Sequence, residues 1–171
     1  VGIRQLHARF ADAVWRQDDA EFSGCFASDG LWKIAGMEIQ GRDKIADACR
    51  NMLGRCHEHG WGCVADAAMA ARHYRIAAEA GLDWAMYNYA NLLATGRGVA
   101  EDQSQALTLY RRAAEQGHAK SMNLLGRYLE DGRFCAQDLD TAVDWYRRSA
   151  EGGDFRGQFS YAAVLADRGQ V

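Results

Sequence analysis

Residues 56–63 read Cys-His-Glu-His-Gly-Trp-Gly-Cys, so two thiols and two imidazoles fall within eight positions. Those are the ligand types that zinc takes at sulfur and nitrogen. The same proximity of thiol and imidazole is what a cysteine nucleophile needs, the ring taking the thiol proton. Other groupings carry other chemistry. The pairs Arg111-Arg112 and Arg147-Arg148 offer forked donors suited to phosphate or carboxylate. Gly96-Arg97-Gly98 has the glycine spacing of a phosphate-cradling loop, and Asp138 with Asp140 makes a close carboxylate pair. Whether any of these is chemistry depends on the elements that hold them.

Those elements repeat. The segment GWGCVADAAMAARHYRIAAEAG aligns with GRGVAEDQSQALTLYRRAAEQG and with GRFCAQDLDTAVDWYRRSAEGG at a constant register of 36 residues. Gly60, Gly96 and Gly132 correspond, as do Asp66, Asp102 and Asp138, then Ala70, Ala106 and Ala142. Tyr74, Tyr110 and Tyr146 follow, then Ala78, Ala114 and Ala150, and then Gly81, Gly117 and Gly153. In the middle copy the spacing predicts a first helix over about Ala85 to Ala94, broken at Gly96 and Gly98. Asp102 is the expected N-cap of a second helix, with Gln105 completing a capping box, and Gly117 is its stop. Small residues Ala106, Ala113 and Ala114 allow close approach, while Leu109 and Tyr110 fill the space between. One such hairpin cannot bury its own apolar faces; stacked hairpins can, which predicts an α-solenoid.

The register also serves as a control on the reactive groups. Cys56 falls on Leu92, Tyr128 and Val164; His57 falls on Leu93, Leu129 and Leu165; Cys63 falls on Val99 and Cys135. These are packing positions, so core filling is expected and no metal site is assigned. Only His59, in step with Thr95, Asp131 and Asp167, holds an exposed type of position. His73 matches Leu109 and Trp145, and no neighbouring pattern supplies an oxyanion site, so no catalytic residue is assigned. The arginine pairs are expected to be solvated or matched by Glu115, Glu151 and Asp144. Gly96-x-Gly98 follows a helix rather than a strand, and Asp138 and Asp140 stand at a helix start, where the dipole favours them. No cofactor is expected.

These motifs resemble the SEL-one-like repeat family, relatives of the tetratricopeptide repeats. The residues that carry the likeness are Leu53-Gly54 and Leu125-Gly126, the GxGV of residues 96–99, the aspartate before each second helix, and Tyr110 to Gly117. The likeness covers about residues 49–171, as three complete repeats and one further first helix. It departs at Phe134, which replaces the second loop glycine, and at Cys63, which stands where Val99 does. The terminal helix, from Arg156 to about Arg168, reads as a cap on the array, with a longer array as the alternative. By this resemblance the chain is a scaffold or adaptor that holds other proteins.

One pattern fits binding better than folding. On the first helices Asn51 and Arg55 are four apart, as are Tyr87 and Asn91, and Asn123 and Arg127. The pairs recur at the repeat spacing, so stacking predicts a polar stripe. In related helical arrays the first helices line a concave groove. Asn, Tyr and Arg there can bond an extended peptide backbone or acidic side chains. The alternative is an ordinary hydrated helix face.

The opening stretch does not follow the repeat. Ile3, Leu6, Phe10 and Val14 mark one face of a helix. Asp18 or Asp19 can cap a second helix bearing Phe22, Cys25 and Phe26. LWKIA and MEIQ, divided near Gly36, read as a β-hairpin, and Gly41-Arg42-Asp43 opens a third helix through Ile45, Ala46 and Cys49. This order, with the phrases RFADAVWRQD, CFASDGLW and GRDKIAD, resembles the first half of a SnoaL-like domain of the nuclear-transport-factor-two superfamily, over about residues 1–56. That fold is a cone with a small-molecule pocket. The resemblance implies pocket or core-wall roles for Phe10, Val14, Trp15, Phe26 and Trp32. The strands that close the cone do not follow Cys56, where the repeat begins instead, so no catalysis is assigned.

Composition narrows the field. The chain has 171 residues, no proline, 18 glycines and 49% apolar residues, which fits helices punctuated by glycine turns. Net charge is −3; residues 1–56 are balanced and the remainder carries the excess, so neither part has the basic surplus that nucleic acid requires. No apolar run is long enough for a membrane span, and VGIRQLHARF lacks the pattern of a signal peptide. Five cysteines read as reduced thiols, which favours the cytoplasm. The fold class expected is mainly α: a solenoid of antiparallel helical hairpins (49–171) behind a small α+β segment (1–48). The expected function is a non-catalytic scaffold that takes a protein or peptide in the groove. The alternative is a SnoaL-like small-molecule binder, isomerase or dehydratase with an appended array.

Overall fold

The computed structural model describes residues 5, 9, 12, 13, 16, 18–34 and 37–167. Among them are eight helices and one two-stranded sheet: α1 (Asp19–Gly24), β1 (Leu31–Ile34), β2 (Met37–Gln40), α2 (Arg42–His59), α3 (Ala67–Glu79), α4 (Asp83–Thr95), α5 (Gln103–Glu115), α6 (Ala119–Asp131), α7 (Leu139–Glu151) and α8 (Phe155–Asp167). The fold is mainly α, built of helical hairpins in step with the 36-residue register, behind a small α+β segment. The chain forms two compact units, Val1–Ala80 and Gly81–Val171.

In the first unit, Asp18 settles the choice of cap. Its carboxylate accepts from the Glu21 amide at 2.9 Å and starts α1. β1 and β2 pair antiparallel, with Trp32 opposite Ile39 and Lys33 opposite Glu38. Ala13, Phe22, Ile45 and Cys49 form a small core against which Phe26, Trp32 and Ile39 pack. Phe26 and Trp32 are thus wall residues of this core, while Ile3, Leu6, Phe10, Val14, Trp15 and Gly36 lie outside the described residues. The helix that opens at Arg42 does not stop at the start of the repeat. It runs unbroken for 18 residues to His59, so its first half serves the α+β segment and its second half is the first helix of the first repeat. The first compact unit accordingly holds both the α+β segment and the first hairpin, and ends at Ala80.

Repeat turns follow the glycines. Gly60, Gly96 and Gly132 end α2, α4 and α6 with left-handed backbone at φ 72°, 65° and 65°. A side chain there meets the steric penalty that glycine escapes. Asp66, Asp102 and Asp138 cap α3, α5 and α7, accepting from Met69, Gln105 and Thr141 amides at 2.8–3.0 Å. The reciprocal half of the expected capping box is absent at Asp102. Its backbone amide donates instead to the Leu93 carbonyl at 3.0 Å. The same bond joins Asp66 to His57 and Asp138 to Leu129, tying each second helix to the end of the first. Backbone pairing across the turn therefore replaces a side-chain cap.

In the second unit α4 packs on α5, α5 on α6, α6 on α7 and α7 on α8. The core holds Leu107, Ala114, Met122, Leu125, Leu129, Ala142 and Tyr146. The alanines matter as much as the large residues. Ala106, Ala113 and Ala114 have no exposed surface, and the backbones approach through them. Gly126 makes the same allowance on α6, since a Cβ there would stand 2.6 Å from the Tyr146 ring.

Candidate functional site

The cysteine–histidine cluster lies in the first unit. His57 stacks on His73 with ring centroids 5.5 Å apart, and its Nδ1 is 3.7 Å from the Cys63 thiol. Burial, with His57 beside it, lowers the pKa of His73 and so favours the neutral ring. Cys56 is half-buried and its thiol pKa is raised, chiefly by burial. His59 is exposed and packs on Trp61 at 4.8 Å. Among the described residues no three His, Cys, Asp or Glu side chains are placed to share a metal ion. Cys49 is buried in the small core, which pushes its thiol up to about 12 and leaves it a poor nucleophile. All five thiols are free.

The polar stripe expected on the first helices divides between the two units. Asn51 and Arg55 stand on α2 in the first unit. Asn51 is half-buried, whereas Arg55 is exposed with its guanidinium 5.1 Å from the Trp61 ring centre. In the second unit Tyr87 and Asn91 are half-buried on α4, and Asn123 and Arg127 are on α6. Asn91 accepts from the Tyr110 hydroxyl at 2.7 Å. Asn123 is only 3% exposed, and its Oδ1 lies 3.0 Å from the Ser160 hydroxyl, which donates to it from α8. The two amides are thus engaged in joining helices, while Arg127 stays in solvent.

What gathers beside them was not singled out from sequence. Trp84 and Lys120 are one repeat apart, and the Lys120 ammonium stands 5.4 Å from the Trp84 ring centre and 6.0 Å from that of Tyr87. Behind these rings lies His118, 5% exposed, edge-on to Trp84 at 4.8 Å and tilted against Tyr87 at 4.9 Å. His118 is the N-cap of α6. Its Nδ1 accepts from the Ser121 amide at 3.3 Å and is 2.9 Å from the Ser121 hydroxyl. With Nδ1 accepting, the ring proton stands on Nε2, and that buried nitrogen has no hydrogen-bond partner among the described residues. Burial, reinforced by Lys120, lowers the His118 pKa, while Asp83 and Asp154 oppose the shift. A signal for this cap does exist in the sequence: position 118 is in register with Leu82 and with Asp154, whose carboxylate accepts from the Gly157 amide at 3.2 Å.

Charge on this face is uneven. Lys120, Arg127 and Arg156 are exposed, lie on α6 and α8, and make no ion pair among the described residues. By contrast Arg147, on the second helix α7, reaches Glu151 at 2.9 Å and Asp144 at 3.6 Å. The first helices α4, α6 and α8 of the second unit carry their carboxylates, Asp83, Glu130, Asp131 and Asp167, towards their ends. Phe155 and Phe159 on α8 are 69% and 76% exposed, and Trp84 is 44% exposed. No helix among the described residues is long and apolar enough to cross a membrane.

A fold of 36-residue helical hairpins behind a helix–hairpin–helix segment defines the class, and comparison with known proteins agrees. The model of the family described as SnoaL-like domain matches residues 1–103, more than half of the sequence, and the chain belongs to that family. The model of the Sel1 repeat, the SEL-one-like unit, matches residues 119–154. The SnoaL-like match runs through α3 and α4, so within it the only described strands are β1 and β2. Among solved structures, the Sel1 repeat protein from Oxalobacter formigenes is 32% identical with a TM-score of 0.66. A protective antigen present in uropathogenic Escherichia coli strains, displaying an SLR fold, is 34% identical with a TM-score of 0.68. They cover 72% and 74% of this chain, which spans 51% of the first and 28% of the second. No curated protein matches the chain.

Proposed function

We propose that the chain is a non-catalytic interaction scaffold that holds a protein or peptide partner against the first helices of its repeats. The observation that carries this reading is the state of Arg127. It is exposed in the second unit and makes no ion pair among the described residues, on the face that also carries Tyr87. A surface that puts an exposed guanidinium beside partly exposed aromatic and amide groups on neighbouring first helices is suited to an extended chain. The likeness to Sel1 repeat proteins supports the same reading. In the first unit Asn51 and Arg55 on α2 are proposed as contacts in their own right, and in the second Asn123 holds the helices beneath the surface.

The test is affinity capture from the source organism with the chain immobilised, compared with Arg127→Ala and Tyr87→Ala. One protein enriched by the wild type and reduced by Arg127→Ala supports the scaffold. A captured protein retained equally by both variants dismisses these residues as its contacts.

The SnoaL-like match over residues 1–103 supports a second reading, a small-molecule binder built on the first unit. A rise in thermal midpoint with apolar small molecules, abolished by Trp32→Ala, would favour it over the scaffold.

A further inference from the structure

Trp84, Lys120 and Arg156 follow one another at the repeat spacing on α4, α6 and α8. Neighbouring first helices do meet along this face: Lys120 lies over the ring of its register partner Trp84, and Ser160, one position past the register partner of Asn123, bonds to Asn123. The face they form has three exposed cations, Lys120, Arg127 and Arg156, that make no ion pair among the described residues, and three large exposed rings, Trp84, Phe155 and Phe159. Its carboxylates are at the helix ends, and Asp83 and Glu130 are already used, by the Trp84 amide at 2.7 Å and by the Tyr146 hydroxyl at 2.5 Å. Under Trp84 is the buried His118 Nε2–H, a donor with no partner among the described residues.

These features point to one kind of occupant. A cation beside an aromatic wall, with a buried donor behind it, is complementary to a carboxylate on a chain that also carries apolar side chains. We propose that this face selects acidic peptide segments with bulky apolar residues, one carboxylate seating at Lys120 against Trp84 and others meeting Arg127 and Arg156. The partly exposed Trp84 ring is the element that must swing for the carboxylate to reach Nε2 of His118. The exposed Phe155 and Phe159 receive the apolar side chains. This inference rests on the reading of the first helices as the partner-binding face and adds the chemistry of the partner.

The experiment is fluorescence anisotropy of the whole chain with three labelled peptides: Glu alternating with Leu and Phe, the same peptide with Gln for Glu, and the same with Lys for Glu. The acidic peptide should bind, weaken several-fold as salt is raised from low to physiological strength, and lose at least about tenfold with Lys120→Glu. Arg111→Glu, on the exposed side of α5, should leave it unchanged. Trp84→Phe, which keeps a ring over His118 but shortens the wall beside Lys120, should weaken it as well. Equal binding of the Gln peptide overturns acidic selection and leaves the groove reading standing. Equal loss with Lys120→Glu and Arg111→Glu reduces the effect to net charge and overturns the site. Binding of none of the peptides also overturns the inference, while the capture experiment decides the scaffold by itself.

Discussion

The Tyr146 hydroxyl donates to Oε2 of Glu130 at 2.5 Å, and Tyr74 makes the same bond to Glu58 at 2.7 Å, two repeats away in sequence. In the middle repeat Ala94 occupies the glutamate position, and Tyr110 turns to Asn91 instead. Burial raises the pKa of all three phenols, so they remain protonated donors. A bond to a charged acceptor contributes about 1.5–3 kcal/mol and one to a neutral amide about 1 kcal/mol. Tyr146→Phe should therefore cost more stability than Tyr110→Phe, read as free energies of urea unfolding. The reverse order would show that the charged bond is cancelled by the desolvation of Glu130.

His118 makes stability depend on pH. Its folded pKa lies below the ordinary 6.5, so the unfolded chain binds the proton more readily. Stability is fully present above pH 6.5 and falls as pH drops below that value towards the folded pKa. Protonation also removes the acceptor that caps α6 at Ser121. His73 is shifted in the same direction and adds to the slope. His118→Asn, which caps without titrating near neutrality, should flatten part of the loss between pH 7.5 and 5.5 in chemical denaturation. An unchanged slope would assign the whole effect elsewhere.

Gly126 is held by contact. A methyl group there would meet Cε1 of Tyr146 at 2.6 Å and the Ala142 carbonyl at 3.1 Å. Gly126→Ala should lower stability by about 1–3 kcal/mol, the usual range for overpacking, measured as a fall in thermal midpoint. Gly152→Ala serves as a comparison, with Ala119 Cβ at 2.9 Å.

Stability and binding should separate on α6. Asn123→Ala removes a buried amide and its bond to the half-buried Ser160, and should lower the midpoint, at a cost of about 1 kcal/mol. Arg127→Ala removes an exposed side chain that makes no ion pair among the described residues and should change stability by less than about 0.5 kcal/mol while weakening partner capture. Equal falls in midpoint would mean that Arg127 also holds the fold.

Much of the repeat was legible because its signals are local. A glycine that must take positive φ, an aspartate three residues ahead of an unpaired amide and an alanine that must touch a neighbour each leave one residue type at one position. The hairpin and its following helix were legible for the same reason. What the sequence hid is relational. Asn123 and Arg127 look alike in a polar stripe, yet one is buried against Ser160 and the other faces water. The grouping of Trp84, Tyr87, His118 and Lys120 joins two repeats, and no single repeat shows it. The capping box at Asp102 failed because a distant carbonyl, Leu93, claimed the amide first.

The unbroken course of α2 from Arg42 to His59 has a mechanical consequence. One rod is shared by two sequence styles, its leading end buried through Ile45 and Cys49 and its trailing end clasped by α3 through Gly54 and Tyr74. Cutting the chain at the start of the repeat would saw through that rod. The opening segment and the first hairpin are thereby yoked, and a disturbance that melts one must loosen the other.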